Sequence, residues 1–148
     1  MKYLIAFLLL FNINTGFAMQ AFNFKTDTPD TKPNHYLICP QDYCKAKPNQ
    51  ISPVFSMSMQ QLENKWEQMI AKQPRVTLIN KDANTHQYFY MQRSAVFKFP
   101  DFITVQFIPL TDNTATIAMF SQAKYGYYDF DVNKKRSKKS DLFQFSKQ

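Results

Sequence analysis

Between Lys124 and Arg136 the chain sets cations, carboxylates and phenols around a glycine: Lys124, Tyr125, Gly126, Tyr127, Tyr128, Asp129, Asp131, Asn133 and the run Lys134-Lys135-Arg136. Asp129, Asn133 and Arg136 stand four and three apart, the spacing that puts side chains on one side of a helix start. There Asp129 can act as an N-cap, accepting from free backbone N–H groups. Two kinds of chemistry fit. In one, Asp129 and Arg136 form an internal ion pair and cap network that locks a final helix onto the rest of the fold. In the other, Lys124, Asn133 and Arg136 converge with helix N-terminal amides into an anion-binding corner, with Tyr125, Tyr127 and Tyr128 as a rim for sugar or headgroup contact. Gly126 is one of two glycines in the chain, so a positive φ or a close backbone approach is expected there. Lys134, Lys135, Lys138 and Lys139 add a second binding idea, salt-sensitive attraction to an anionic membrane or polymer, with Phe143 and Phe145 needed to hold it.

Catalysis has weaker support. Asp129 and Asp131 are two apart, hence on opposite sides of an extended stretch, which suits acid and base work on one bond poorly. No Gly-x-Ser-x-Gly elbow, His-Glu-x-x-His motif or phosphate-cradling glycine loop occurs. An envelope hydrolase using Asp129 and His86 is therefore the least supported class, since a histidine on the polar side of a strand is usually just exposed. Cys39 and Cys44 alone do not close a structural zinc site. Neither a metal nor a cofactor is expected.

Several elements must position these residues. Met59, Leu62, Trp66, Met69 and Ile70 recur at spacings of three and four, which predicts a helix over Met59–Lys72 with Trp66 in the core. Ser58 and Gln61 resemble a capping box, and Pro74 ends the element. Arg75–Asn80 and Thr85–Arg93 read as a hairpin around the turn residues Lys81–Asn84, with His86, Tyr88 and Tyr90 on one face and Gln87, Phe89 and Met91 on the other. Phe102–Leu110 and Thr114–Ser121 read as a second hairpin. Asn133–Lys147 reads as a terminal helix pinned by Leu142, Phe143 and Phe145. The expected fold is α+β: an antiparallel sheet of about four strands, preceded by one helix and covered by a C-terminal helix.

Residues 1–18 carry Lys2, the apolar run Tyr3–Phe11 and the small-residue approach Gly16-Phe17-Ala18, the pattern of a secretory signal peptide. Export would leave a periplasmic or secreted protein. Residues 19–55, with Pro33, Pro40, Pro48 and Pro53, read as an irregular arm, and 56–148 as one α+β domain. In an oxidising compartment the isolated pair Cys39 and Cys44, four residues between them, reads as a disulfide staple. Without the leader, 17 Lys and Arg stand against 11 Asp and Glu, a net charge of +6. A basic exported domain suits anionic partners such as a lipid headgroup, a polysaccharide or an acidic protein, with peripheral membrane contact as the alternative mode. Its location disfavours nucleic acid.

At Arg93-Ser94, at Phe99-Pro100-Asp101 and over residues 120 to 136 the chain resembles the exported bacterial and plastid family catalogued as domain of unknown function 1499. That family carries the signature Arg-Ser-x-Ser-Arg-x-Gly-x-x-Asp-x-Gly-x-Asn-x-x-Arg. Ser121, Gly126, Asp129, Asn133 and Arg136 match it. Lys124 replaces the second arginine, and Phe120 and Asp131 depart from the first arginine and the second glycine. Upstream, Pro48-Asn49-Gln50-Ile51-Ser52 looks like the family's Pro-Asn-Cys-Val-Ser with Gln50 for cysteine, which implies that the cysteine partner has moved to Cys44. The resemblance implies no established activity. It points to the Lys124–Arg136 segment as the place where a site would be.

Overall fold

The computed structural model describes residues 19–126. In chain order the elements are β1 (His35–Cys39), β2 (Gln50–Ile51), α1 (Met59–Ile70), β3 (Val76–Asp82), β4 (Gln87–Arg93), β5 (Pro100–Thr111) and β6 (Thr114–Ala123). The strands form one sheet in the order β2-β1-β6-β5-β4-β3. The β1–β2 pair is parallel; every other neighbouring pair is antiparallel.

This topology corrects the expected fold. The sheet has six strands rather than four and is mixed rather than antiparallel, and among the described residues α1 is the one helix. Both added strands come from the proline-rich segment read as irregular. β1 is only five residues long, and what makes it a strand is its pairing with β6, Leu37 opposite Phe120 and Ile38 opposite Met119. Local periodicity cannot report a partner so far along the chain. The expected helix over 133–147 lies outside the described residues.

Helix α1 forms where its pattern predicts. Ser58 accepts from the Gln61 N–H at 3.2 Å while the Gln61 side chain accepts from the Ser58 N–H at 3.0 Å, so two otherwise orphaned donors are satisfied reciprocally. It ends at Ile70, two residues earlier than predicted, and the Lys72 and Gln73 N–H groups close the last turn onto Met69 and Ile70. Its buried face lies on one side of the sheet: Leu62, Trp66 and Met69 pack with Tyr88, Tyr90, Ile103, Val105, Phe107, Ile117 and Met119. Trp66 donates from Nε1 to the Tyr90 hydroxyl at 3.1 Å inside this core, and its ring meets Phe107 edge-on at 5.9 Å.

The other side of the sheet is covered by the N-terminal arm. Phe22 and Phe24 pack with Leu37, Cys39, Ala118 and Phe120, Phe22 stacking on Phe120 at 4.1 Å. The Phe22 N–H donates to Thr104 Oγ1 at 3.0 Å, satisfying a polar group that would otherwise be buried alone. Both faces of the sheet's central strands are therefore covered. That is why β5 and β6 are apolar at successive positions instead of alternating cleanly. The Cys39–Cys44 disulfide closes the turn after β1, with Cα atoms 6.2 Å apart, and fastens it to this second core.

Candidate functional site

The antiparallel order from β3 to β6 gathers four chain ends on one edge: the start of β3, the end of β4, the start of β5 and the end of β6. Arg75, Arg93, Lys98 and Lys124 occupy those ends, all exposed. Asp101, in β5, is the acid closest to them along these strands. Arg75 donates from Nε to the Arg93 carbonyl at 3.0 Å, and Arg93 donates from Nη1 to the Lys98 carbonyl at 3.0 Å. The guanidiniums are thus anchored through one edge by backbone oxygens. Arg75 and Lys98 have φ of 59° and 57°, the left-handed region that residues with a Cβ enter at a cost of about 1 kcal/mol or more.

The β4–β5 connection projects from this end as an ordered tip. The Ser94 N–H donates to the Phe99 carbonyl at 2.9 Å, and the Phe99 N–H donates to Ser94 Oγ at 3.0 Å. Val96 is 78% exposed, Phe97 74% and Phe99 50%. Phe97 and Phe99 stack at 5.5 Å. Tyr125, 55% exposed, meets Phe99 edge-on at 5.8 Å.

Of the residues singled out in the sequence, Lys124, Tyr125 and Gly126 belong to this end. The Lys124 N–H donates to the Pro100 carbonyl at 3.1 Å, extending the β5–β6 ladder by one residue, and its ammonium stands 5.5 Å from the Tyr125 ring centroid. Gly126 has φ 91°, the positive value expected of it. Its carbonyl accepts from Asn34 Nδ2 at 3.1 Å, and the same amide group donates to the Ala123 carbonyl at 3.1 Å. Asn34 is buried, so it fixes where the chain leaves the sheet and holds Tyr125 beside the tip. Asp129, Asn133, Arg136, Lys134, Lys135, Lys138 and Lys139 lie outside the described residues, as do Tyr127, Tyr128 and Asp131. The corner built from helix amides falls there too.

A second feature is a cleft of about 210 Å³ between α1 and the β3–β4 hairpin. Glu63, buried in α1, accepts His86 Nδ1 at 3.2 Å. Glu67, one turn on, accepts from Lys81 Nζ at 2.8 Å and from the Tyr88 hydroxyl at 3.0 Å. The Lys81 contact holds the Glu67 carboxyl below its ordinary range, against a smaller opposing push from burial. Lys81 is raised mainly by Glu67. Burial pushes the Tyr88 phenol up to about 12. His86 departs from its expected place: it precedes β4 with φ 52°, and it is tethered to Glu63 on the helix side instead of standing free on a polar face. No Ser, Thr or Cys lines the cleft. These pairs fasten helix to hairpin, and they leave no activated nucleophile.

Two parts of the surface escaped the sequence reading. Glu63 was legible in principle, as an acid beside Leu62 and three residues before Trp66, on the helix's apolar stripe. The ends of the tip were marked only by the resemblance at Arg93-Ser94 and Phe99-Pro100-Asp101, and its gathering with Arg75 and Lys124 was not legible, because these residues are scattered in sequence and only strand pairing collects them. Among the described residues no group of three His, Cys, Asp or Glu could hold a metal ion, and no helix is long and apolar enough to cross a membrane. No curated protein and no solved structure matches the chain. The family described as protein of unknown function (DUF1499) matches residues 20–140 of the 148, and the chain belongs to it.

Proposed function

We propose that this chain is a small exported binding domain of the cell envelope, non-enzymatic, that holds an anionic partner at the cationic end of its sheet. One observation carries it: strand order brings Arg75, Arg93, Lys98 and Lys124 to a single edge, and the backbone anchors of Arg75 and Arg93 fix two of them in place. Clustered cations raise the local concentration of anions and speed their association. The left-handed backbone at Arg75 and Lys98 supports the same reading, because strain that a glycine would relieve is retained at two of the four cations. The cleft favours no competing enzyme, since its ionisable groups are spent on each other.

The test is binding to dextran sulfate, a soluble polyanion, at low and high salt. Wild-type protein should bind at low salt and release at high salt. Lys98→Glu/Lys124→Glu should weaken binding by roughly tenfold or more, at about 1 kcal/mol for each charge near an anionic surface. Lys45→Glu/Lys47→Glu, two exposed positions that change the net charge by the same amount, is the control. Lys45 lies on the arm, bonded through Nζ to the Thr26 carbonyl beside Tyr43, whose hydroxyl reaches Gln106. That is about 20 Å along the strands from the cationic end, at the usual rise per residue. Equal loss in the two variants would mean that net charge, not this edge, governs binding.

A further inference from the structure

We infer that the anionic partner is a lipid bilayer, and that the β4–β5 tip is a wedge that enters its interface. This rests on the reading that the cationic end binds anions, and it adds the source of the charge. A soluble polyanion needs cations alone. It gives no reason for Val96, Phe97, Phe99 and Tyr125 to stand together in water at the same place. At about 200 Å² per aromatic side chain, scaled by their exposures, the three rings alone present roughly 350 Å². That falls within the range of the largest apolar patch on a typical monomer, a patch that is often functional.

The chemistry is layered as a membrane surface requires. Val96 and Phe97 are the most exposed, at the apex. Phe99 and Tyr125 lie behind them, the phenol of Tyr125 suited to the headgroup level, where amphipathic rings concentrate. The cations flank these rings: Arg93 bonds the Lys98 carbonyl at the neck, and the Lys124 ammonium stands 5.5 Å from the Tyr125 ring centroid. The wedge is formed in advance. The Ser94–Phe99 bonds and the Arg93 bond to the Lys98 carbonyl close its neck, so little ordering entropy is lost on insertion. An acidic protein partner would satisfy the cations equally well, but a protein would have to supply a matching apolar pocket. A bilayer accepts the tip without one.

The experiment compares three proteins, wild type, Phe97→Ser/Phe99→Ser and Lys98→Glu/Lys124→Glu, for flotation with phosphatidylcholine vesicles made with and without phosphatidylglycerol. Dextran sulfate binding is measured in parallel, and circular dichroism checks each fold. Wild type should float with the anionic vesicles and only weakly with the neutral ones. Phe97→Ser/Phe99→Ser should lose roughly 100-fold in partitioning, given the usual gain from burying two phenylalanine side chains, while keeping its affinity for dextran sulfate. Lys98→Glu/Lys124→Glu should lose both. In a Phe97→Trp variant, the added fluorescence should be quenched by brominated acyl chains. Undiminished vesicle binding by Phe97→Ser/Phe99→Ser overturns the wedge. Wild type binding dextran sulfate but no vesicle overturns the bilayer and leaves the anionic partner standing as a polysaccharide or acidic protein. A dimer that the serine variant dissolves, without vesicle binding, assigns the patch to a second copy. Binding to neither probe removes both readings.

Discussion

Lys98 allows backbone strain and binding to be separated in one position. Its φ of 57° lies in the left-handed region, where a residue with a Cβ is disfavoured by about 1–2 kcal/mol. Glycine relieves this but loses more chain entropy on folding, about 0.5–1 kcal/mol. The net gain for Lys98→Gly is therefore about 0.5–1 kcal/mol. For a domain of this size that is a rise of roughly 2–6 °C in Tm. Lys98→Ala removes the same charge but keeps the Cβ, so it should leave Tm nearly unchanged. The side chain is exposed, and the bond that the tip needs runs to the Lys98 carbonyl, which both variants retain. Both should weaken binding to anionic vesicles about fivefold, for the loss of one cation. Calorimetry and vesicle flotation on the three proteins give the comparison. Equal Tm values for Lys98→Gly and Lys98→Ala would show that no strain is stored there, and unchanged binding in both would show that the cation is idle.

Tyr90→Phe should cost about 1–3 kcal/mol, because the Trp66 N–H is left buried without an acceptor; in a double-mutant cycle with Trp66→Phe, a coupling below about 0.5 kcal/mol would contradict the bond's role. Reducing the Cys39–Cys44 disulfide should lower stability in urea by about 2 kcal/mol, the chain-entropy value for so short a loop, and a midpoint indifferent to reductant would exclude it. Glu67 is lowered and Lys81 raised, so their contribution is present above the ordinary carboxylate range and below the ordinary lysine range. It should fade as pH falls below about 4 and again as it rises above about 10. Lys81→Met should thus differ from wild type by under about 1 kcal/mol, most at neutral pH, the pair being half exposed; a difference that persists in acid would point to packing instead.

Elements with their own periodicity were legible. The stripe of α1 and the Ser58–Gln61 box specify the helix within two residues at its end, and both hairpins appear with strand ends shifted by no more than two residues, β4 starting later than expected and β5 and β6 running longer. β1 and β2 were not legible. They are short, lie among prolines, and become strands because β6 is available to pair. The same non-locality hid how the cationic edge is assembled. Tyr125 and Gly126 drew notice as a cluster in sequence, but their neighbours Phe97, Phe99 and Lys98 come from another connection altogether. His86 shares the side of Tyr88, as alternation expects, but alternation does not say which face another element covers. The tyrosine side lies under α1, and Glu63 meets the imidazole there.

The sheet's strand order has a consequence for how the protein is made. β1 lies between β2 and β6, and the Asn34 side chain that closes its register reaches Ala123, 89 residues away. A polypeptide emerging from its N-terminus therefore carries an apolar early strand, and the phenylalanines of its arm, with nothing to shelter them until nearly the last described residue has appeared. Such late closure makes folding slow and leaves nascent chains sticky. Premature stops before β6 would yield aggregates rather than a smaller working piece, because β1 and the arm would have no partner strand to cover them.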